Sequence, residues 1–290
     1  MAKVFDRTKE SLGNILHMEH VNLAVPQQEL ATLFYITGLR FTRDPFIMTS
    51  TDNMWVNMGR CQVHLPSRNP SSQRLRGTIG MVVPDLEEVE TSLKQIGKQL
   101  DGTDFSYIRK NDCIEAICPW GNRFKIHEPA PEYGSMHIGM PYVELNAPPG
   151  TTKKISRFYQ EIIGATTYLG TRNNSDCVSV STGNLQYLHF IETEIPQPDY
   201  DGHHIAIYIS NFARPYEKLM KHGLISMETD EHEWRFIDII DLDSGDILFK
   251  IEHEVRSATH PLYSRPLINR NPVQSNRGYR RGQDHFLGQI

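Results

Sequence analysis

Four stretches of this chain open alike and recur at nearly even spacing. They are "MEHVNLAVP" from Met18, "GTIGMVVPD" from Gly77, "MPYVELNAP" from Met140 and "HHIAIYISN" from His203. Each is a short β-rich run that leads into a helical pattern: "QQELATLFYITGL", "LEEVETSLKQIG", "GTTKKISRFYQEIIG" and "FARPYEKLMKHG". Each helix stops at or just before a glycine, the expected C-terminal signal. Taking His20, Thr78, Tyr142 and His204 as equivalent, the separations are 58, 64 and 62 residues. Self-similarity at such a period marks a repeated supersecondary unit. Three strand candidates follow each helix, at Arg40–Phe46, Met54–Gly59 and Cys61–Leu65 in the first repeat and at Asp104–Arg109, Cys113–Cys118 and Arg123–His127 in the second. The repeat therefore reads βαβββ.

One such repeat buries a single sheet face and is too small to stand alone. Pairing consecutive repeats predicts one domain over 14–131 and another over 136–257, with the Pro-rich "HEPAPEYGS" as linker and 258–290 as an appended tail.

Composition narrows the functional classes. Net charge is −5 and the pI near 6.2, so a nucleic-acid partner is not expected. No apolar run nears the ~20 residues that cross a bilayer. The polar start, MAKVFDRTKESLGN, lacks the apolar core of a secretory signal, so a cytoplasmic location and no membrane partner are expected. The four cysteines form no CxxC pair, which predicts reduced, partly buried thiols. Exposed edge strands would suit a homodimer, though nothing in the sequence specifies one.

The four βαβββ repeats, "PWGNRFKIHEP" ending the second and "DLDSGDILFKIEHE" closing the fourth resemble the vicinal oxygen chelate superfamily. That superfamily includes glyoxalase I, bleomycin and fosfomycin resistance proteins, and extradiol catechol dioxygenases. The resemblance extends to about Arg256, and the four-repeat length is most similar to the extradiol enzymes. It implies an α+β fold of four βαβββ modules paired into two half-open barrel domains. It also implies metal ligands at the start of the first strand and on the last strand of each repeat.

Carried onto this chain, those positions in the N-terminal domain hold His20, Thr78, Gln62 and Lys125. Threonine is a weak ligand and lysine a repelling cation, so this domain is expected to be metal-free. A register two residues further along would gather His20, His64 and His127 instead. In the C-terminal domain the positions hold Tyr142 and His204, with Glu144 sharing a strand face with Tyr142. Lys250, Glu252 and Glu254 share a face of the closing strand. The extradiol pattern is two histidines and one carboxylate. Here Tyr142 stands where a histidine would, and the implied ligand set becomes Glu144, His204 and Glu252. Tyr142 and His189 are the candidate acid–base groups. The competing reading is an internal ion-pair network without a metal. His203, next to His204, points to the other face of its strand.

In the tail, Tyr263 is a candidate anchor, and Arg265 and Arg270 are candidate contacts to a carboxylate or phenolate. The resemblance thus implies a protein acting on a small molecule, anionic or catechol-like, in the cleft of the C-terminal domain. Extradiol-type ring cleavage with Fe(II) or Mn(II) is the first reading. A non-oxidative metal-dependent isomerase or lyase, or a metal-free binding protein of the resistance type, are the alternatives.

Overall fold

A computed structural model describes residues 5–47, 50–68, 71–271 and 273–286. All four repeats are present. The first comprises β1 (Ile15–Asn22), α1 (Gln28–Ala31, continued by π-helical Thr32–Gly38), β2 (Thr42–Arg43), β3 (Asn53–Met58) and β4 (Cys61–Pro66). The second comprises β5 (Gly77–Val82), α2 (Leu86–Ile96), β6 (Ser106–Arg109), β7 (Cys113–Ile117) and β8 (Arg123–His127). The third comprises β9 (Gly139–Ala147), α3 (Thr152–Phe158, continued by π-helical Tyr159–Ile163), β10 (Thr167–Arg172), β11 (Ser175–Gly183) and β12 (Gln186–Glu192). The fourth comprises β13 (His204–Ile209), α4 (Ala213–Lys221), β14 (Ile225–Asp230), β15 (Glu233–Ile240) and β16 (Ile247–Ser257).

The strands form two mixed eight-stranded sheets, ordered β14-β15-β16-β13-β1-β4-β3-β2 and β10-β11-β12-β9-β5-β8-β7-β6, and neither closes. In the first two repeats the opening strand runs parallel to the last, with His20 opposite Gln62 and Ile79 opposite Phe124. Sheet membership does not follow the expected pairing of consecutive repeats. Repeat one shares a sheet with repeat four, and repeat two with repeat three. The reason is visible at β5, where opening strand meets opening strand, Ile79 facing Val143 in an antiparallel ladder. The Pro-rich segment before β9 is therefore not a boundary between sheets.

By contact density the chain forms two compact units. Unit one holds Met1–Met18, Ala147–Ile195 and Ile207–Tyr263; unit two holds Glu19–Asn146, Pro196–Ala206 and Ser264–Ile290. In unit two, Asp85 caps α2 by accepting from the Glu88 N–H at 3.0 Å. Leu86, Val89, Leu93 and Ile96 form its buried stripe. Phe34 packs 5.4 Å from Phe124 and 6.0 Å from Phe105, ring centre to ring centre. In unit one, Phe158, Tyr159, Phe190 and Phe236 are fully buried. The Tyr159 hydroxyl donates to Nε2 of His253 at 2.7 Å, and His253 Nδ1–H donates to the Ile251 carbonyl at 2.9 Å. That ring stacks on Phe236 at 4.2 Å.

All four cysteines are buried and unbridged, and no helix among the described residues is long and apolar enough to cross a membrane. The tail is pinned in place. Asn269, fully buried, accepts from the Gly59 N–H at 2.7 Å and donates to the Gly59 carbonyl at 2.8 Å.

Gly59 turns β3 into β4 with φ of +66°, and a Cβ there would run into the Ile138 carbonyl oxygen. Gly59→Ala combines a disfavoured φ with a clash against backbone. It is expected to destabilise the protein by about 3 kcal/mol. Urea unfolding should show a lower midpoint at unchanged slope.

Candidate metal centre

The first repeat lays two polar rungs across one sheet face. His20 stands opposite Gln62, which stands opposite Asn57; one step on, Asn22, His64 and Trp55 make the second rung. Alternate residues such as Val56 and Val63 turn to the other face and are fully buried. His20 is itself fully buried, with Nδ1 3.1 Å from a carboxylate oxygen of Glu19. A carboxylate on Nδ1 calls for a proton there, which makes Nε2 the ligating nitrogen. His204, at the head of β13, lies with its ring centre 5.6 Å from that of His20. His64 is stacked on Trp55 at 3.8 Å and has Nε2 2.8 Å from Asn53 Oδ1. Trp55 in turn lies nearly perpendicular to the His20 ring, ring centres 4.8 Å apart.

On β16, alternation gives one polar face bearing Lys250, Glu252, Glu254 and Arg256. Arg235 on β15 stands opposite Glu254. Its guanidinium reaches Glu233 at 2.9 Å, Glu252 at 3.2 Å and Glu254 at 2.6 Å. Arg256 reaches Glu233 at 3.3 Å and also pairs with Glu254. These carboxylates are thus held by Arg235 and Arg256, while Lys250 pairs with Asp238 at 2.6 Å.

In unit two, the buried His20 and His204 each offer a ligand nitrogen, within 4.8 Å of one another. Bonds of about 2.0–2.2 Å from one ion set neighbouring donors about 3 Å apart. Small side-chain adjustments close that difference. Two imidazole nitrogens suit a divalent ion such as Fe(II) or Mn(II).

The expected ligand set, Glu144, His204 and Glu252, is not gathered. Glu144 lies on β9 opposite Thr78, in the other sheet from His204. Glu252 is engaged by Arg235. His20 stands beside His204 where Glu144 was expected. The candidate acid–base groups lie apart from this cluster as well. Tyr142 sits in the other sheet with its hydroxyl 2.8 Å from His127 Nε2, its ring filling the space that Gly80 leaves open. His127, on β8, likewise lies in the other sheet from His20 and His64. His189, on β12, has Nδ1 2.8 Å from the Ser179 hydroxyl, and burial, aided by Arg172, drops its pKa to about 3.

In the tail, Arg265 donates to Asp44 at 2.6 Å. Arg270 helps line a small hollow with Leu39, Phe41, Val83 and Ile138. The Tyr263 ring packs 4.9 Å from that of Tyr208. His203 is fully buried, with Nδ1 2.7 Å from Asp201. It has a separate role from His204, as the strand alternation predicts.

Sequence reasoning weighed His20 as a ligand only beside His64 and His127, not beside His204. The repeat alignment carried the signal for His20: only the first and fourth opening strands place histidine at the equivalent position.

No protein-family model matches the chain, and no curated protein matches it by sequence. Solved structures do. Glyoxalase I from Zea mays aligns at 12% identity over 84% of this chain and 92% of that one, with a TM-score of 0.59. A Bacillus subtilis protein provisionally named a dioxygenase aligns at 13% identity over 84% and 86%, with a TM-score of 0.57. The cppA protein of Streptococcus pneumoniae aligns at 11% identity over 85% and 100%, with a TM-score of 0.50. At these identities the likeness is one of fold, and the fold is the one that the vicinal oxygen chelate resemblance implies, shared with glyoxalase I.

Proposed function

We propose that the protein is a divalent-metal-dependent enzyme, of the glyoxalase or dioxygenase kind, acting on a small oxygen-bearing molecule at His20 and His204. The observation that carries this reading is the approach of those two buried histidines, whose ligand atoms lie within 4.8 Å of one another. When bound, a metal there supplies Lewis acidity and a template for substrate oxygens.

The chain's own contributions are separable. Glu19 holds the proton on His20 Nδ1 and so keeps the ligating nitrogen available. Trp55, only 4% exposed, covers the His20 ring and keeps water from it.

The guanidinium contacts on Glu252 and Glu254 support a second reading, in which those carboxylates stay in their ion pairs and the protein binds its ligand without metal. Metal titration separates the two. Protein freed of metal should gain stability on adding Mn(II), or Fe(II) without oxygen. At 100 times Kd the gain is about 2.7 kcal/mol, a rise of about 5 °C in melting temperature. No rise with either ion would leave the metal-free reading standing.

A further inference from the structure

The tail contacts on unit two do more than anchor it. Asp44, fully buried as a side chain, takes the Phe46 and Ile47 N–H groups on Oδ1 at 2.9 and 3.1 Å. Its Oδ2 takes Arg265 Nη2 at 2.6 Å and Gln62 Nε2 at 3.2 Å. Burial works to raise the Asp44 pKa, but the Arg265 contact and the two backbone N–H groups outweigh it and hold the carboxyl below its ordinary value. Asp44 is thus a fixed anion that only accepts hydrogen bonds.

Asn57 is fixed from the same segment. Its Nδ2 donates to the Ile268 carbonyl at 2.8 Å, which turns Oδ1 toward Gln62. Gln62 Nε2 donates to that Oδ1 at 2.6 Å. Both amide protons of Gln62 are then committed, one to Asp44 and one to Asn57. An amide carries two donors on nitrogen and acceptor capacity on oxygen. The ordinary ambiguity between an amide's two ends is removed here by its partners.

We infer that the C-terminal segment is a positioning element of the site: Arg265 through Asp44, and the Ile268 carbonyl through Asn57, fix Gln62 so that its Oε1 is the group presented beside His20. The register places Gln62 directly opposite His20, where cross-strand side chains are neighbours. Arg265 is then not a substrate contact. It acts three residues away from the ligand cluster, through Asp44 and Gln62. The inference rests on the metal-dependent reading above.

The test uses full-length protein, Mn(II) as probe, and the variants Asp44→Asn, Arg265→Ala and Arg265→Lys. An asparagine at 44 is nearly isosteric but can donate, so it permits Gln62 to turn over. Asp44→Asn and Arg265→Ala are expected to weaken Mn(II) binding about tenfold, the lower end for loss of an outer-shell partner. Arg265→Lys should recover most of it, because one donor to Oδ2 is all the contact requires. The Gln62 side-chain amide protons, followed by NMR without metal, should exchange slowly in the wild type and fast in Asp44→Asn. If Arg265→Ala does not fold, Asp44→Asn carries both readouts. Affinities within twofold of wild type, in protein that binds Mn(II) and loses it in His204→Ala, overturn the positioning role alone. So does fast exchange of the Gln62 amide in the wild type. A wild type that binds no Mn(II) overturns the metal-dependent reading and the inference with it.

Discussion

His204→Ala should abolish the rise in melting temperature that Mn(II) gives the wild type, and His20→Ala should do the same. Removing either donor is expected to weaken binding by at least about 100-fold, beyond the 10–100-fold typical of outer-shell changes. The informative controls are Glu144→Gln and Glu252→Gln. Glu144 lies in the other sheet, and Glu252 is held by Arg235. Both should leave Mn(II) affinity within about threefold of wild type, a change of ~0.6 kcal/mol. The opposite pattern, with Glu144 and Glu252 essential and His20 dispensable, would falsify the ligand assignment.

The second large effect is on stability below neutral pH. His253 and His189 both have pKa values lowered to about 3. For His253 the cause is complete burial, opposed only by the bond to the Ile251 carbonyl; for His189 it is burial, then Arg172. The unfolded chain, with histidine near ~6.5, takes up protons first as pH falls. Each group's contribution is thus intact above pH ~6.5 and is lost progressively down to about pH 3, at ~1.4 kcal/mol per pH unit. At pH 4.5 each histidine should cost about 2–3 kcal/mol relative to pH 7. Asp44, Asp201, Asp241 and Glu192, all with lowered pKa values, add losses only at still lower pH. Urea unfolding from pH 7 to 4.5 measures the slope, and His253→Phe should remove one proton's worth of it. A slope unchanged in that variant would show that the ring is already charged in the folded state.

The repeat made most of the architecture legible. Strands expected at Met54–Gly59, Cys61–Leu65, Cys113–Cys118 and Arg123–His127 appear at Asn53–Met58, Cys61–Pro66, Cys113–Ile117 and Arg123–His127. Which repeats share a sheet was not legible. Any opening strand has a free edge, and nothing local in "GTIGMVVPD" or "MPYVELNAP" states that Ile79 will face Val143. That one unknown decided the site. Pairing consecutive repeats separates His20 from His204 and puts Tyr142 where a histidine belongs. Pairing the first with the fourth brings the two histidines together. On β16, the shared face of Lys250, Glu252 and Glu254 was readable, but their partners on β15 were not. The ladder to β15 shifts register between Phe236 and Asp238, so spacing alone does not fix them. Arg265 read as a ligand contact because its partner, Asp44, lies 221 residues away in sequence.

The clasp of Asn269 on Gly59 joins groups 210 residues apart. A ribosome adds about 5–20 residues per second. The β3–β4 turn therefore waits about 10–40 seconds after its own synthesis for the side chain that closes it. Until then the Gly59 amide and carbonyl lack the Asn269 side chain, and the Asp44 carboxylate lacks Arg265. A nascent chain stalled before residue 264 should be digested at this turn, and emergence of residues 264–270 should end that sensitivity within one folding time. Residues made about 200 positions later are, in this sense, the ones that finish the first repeat.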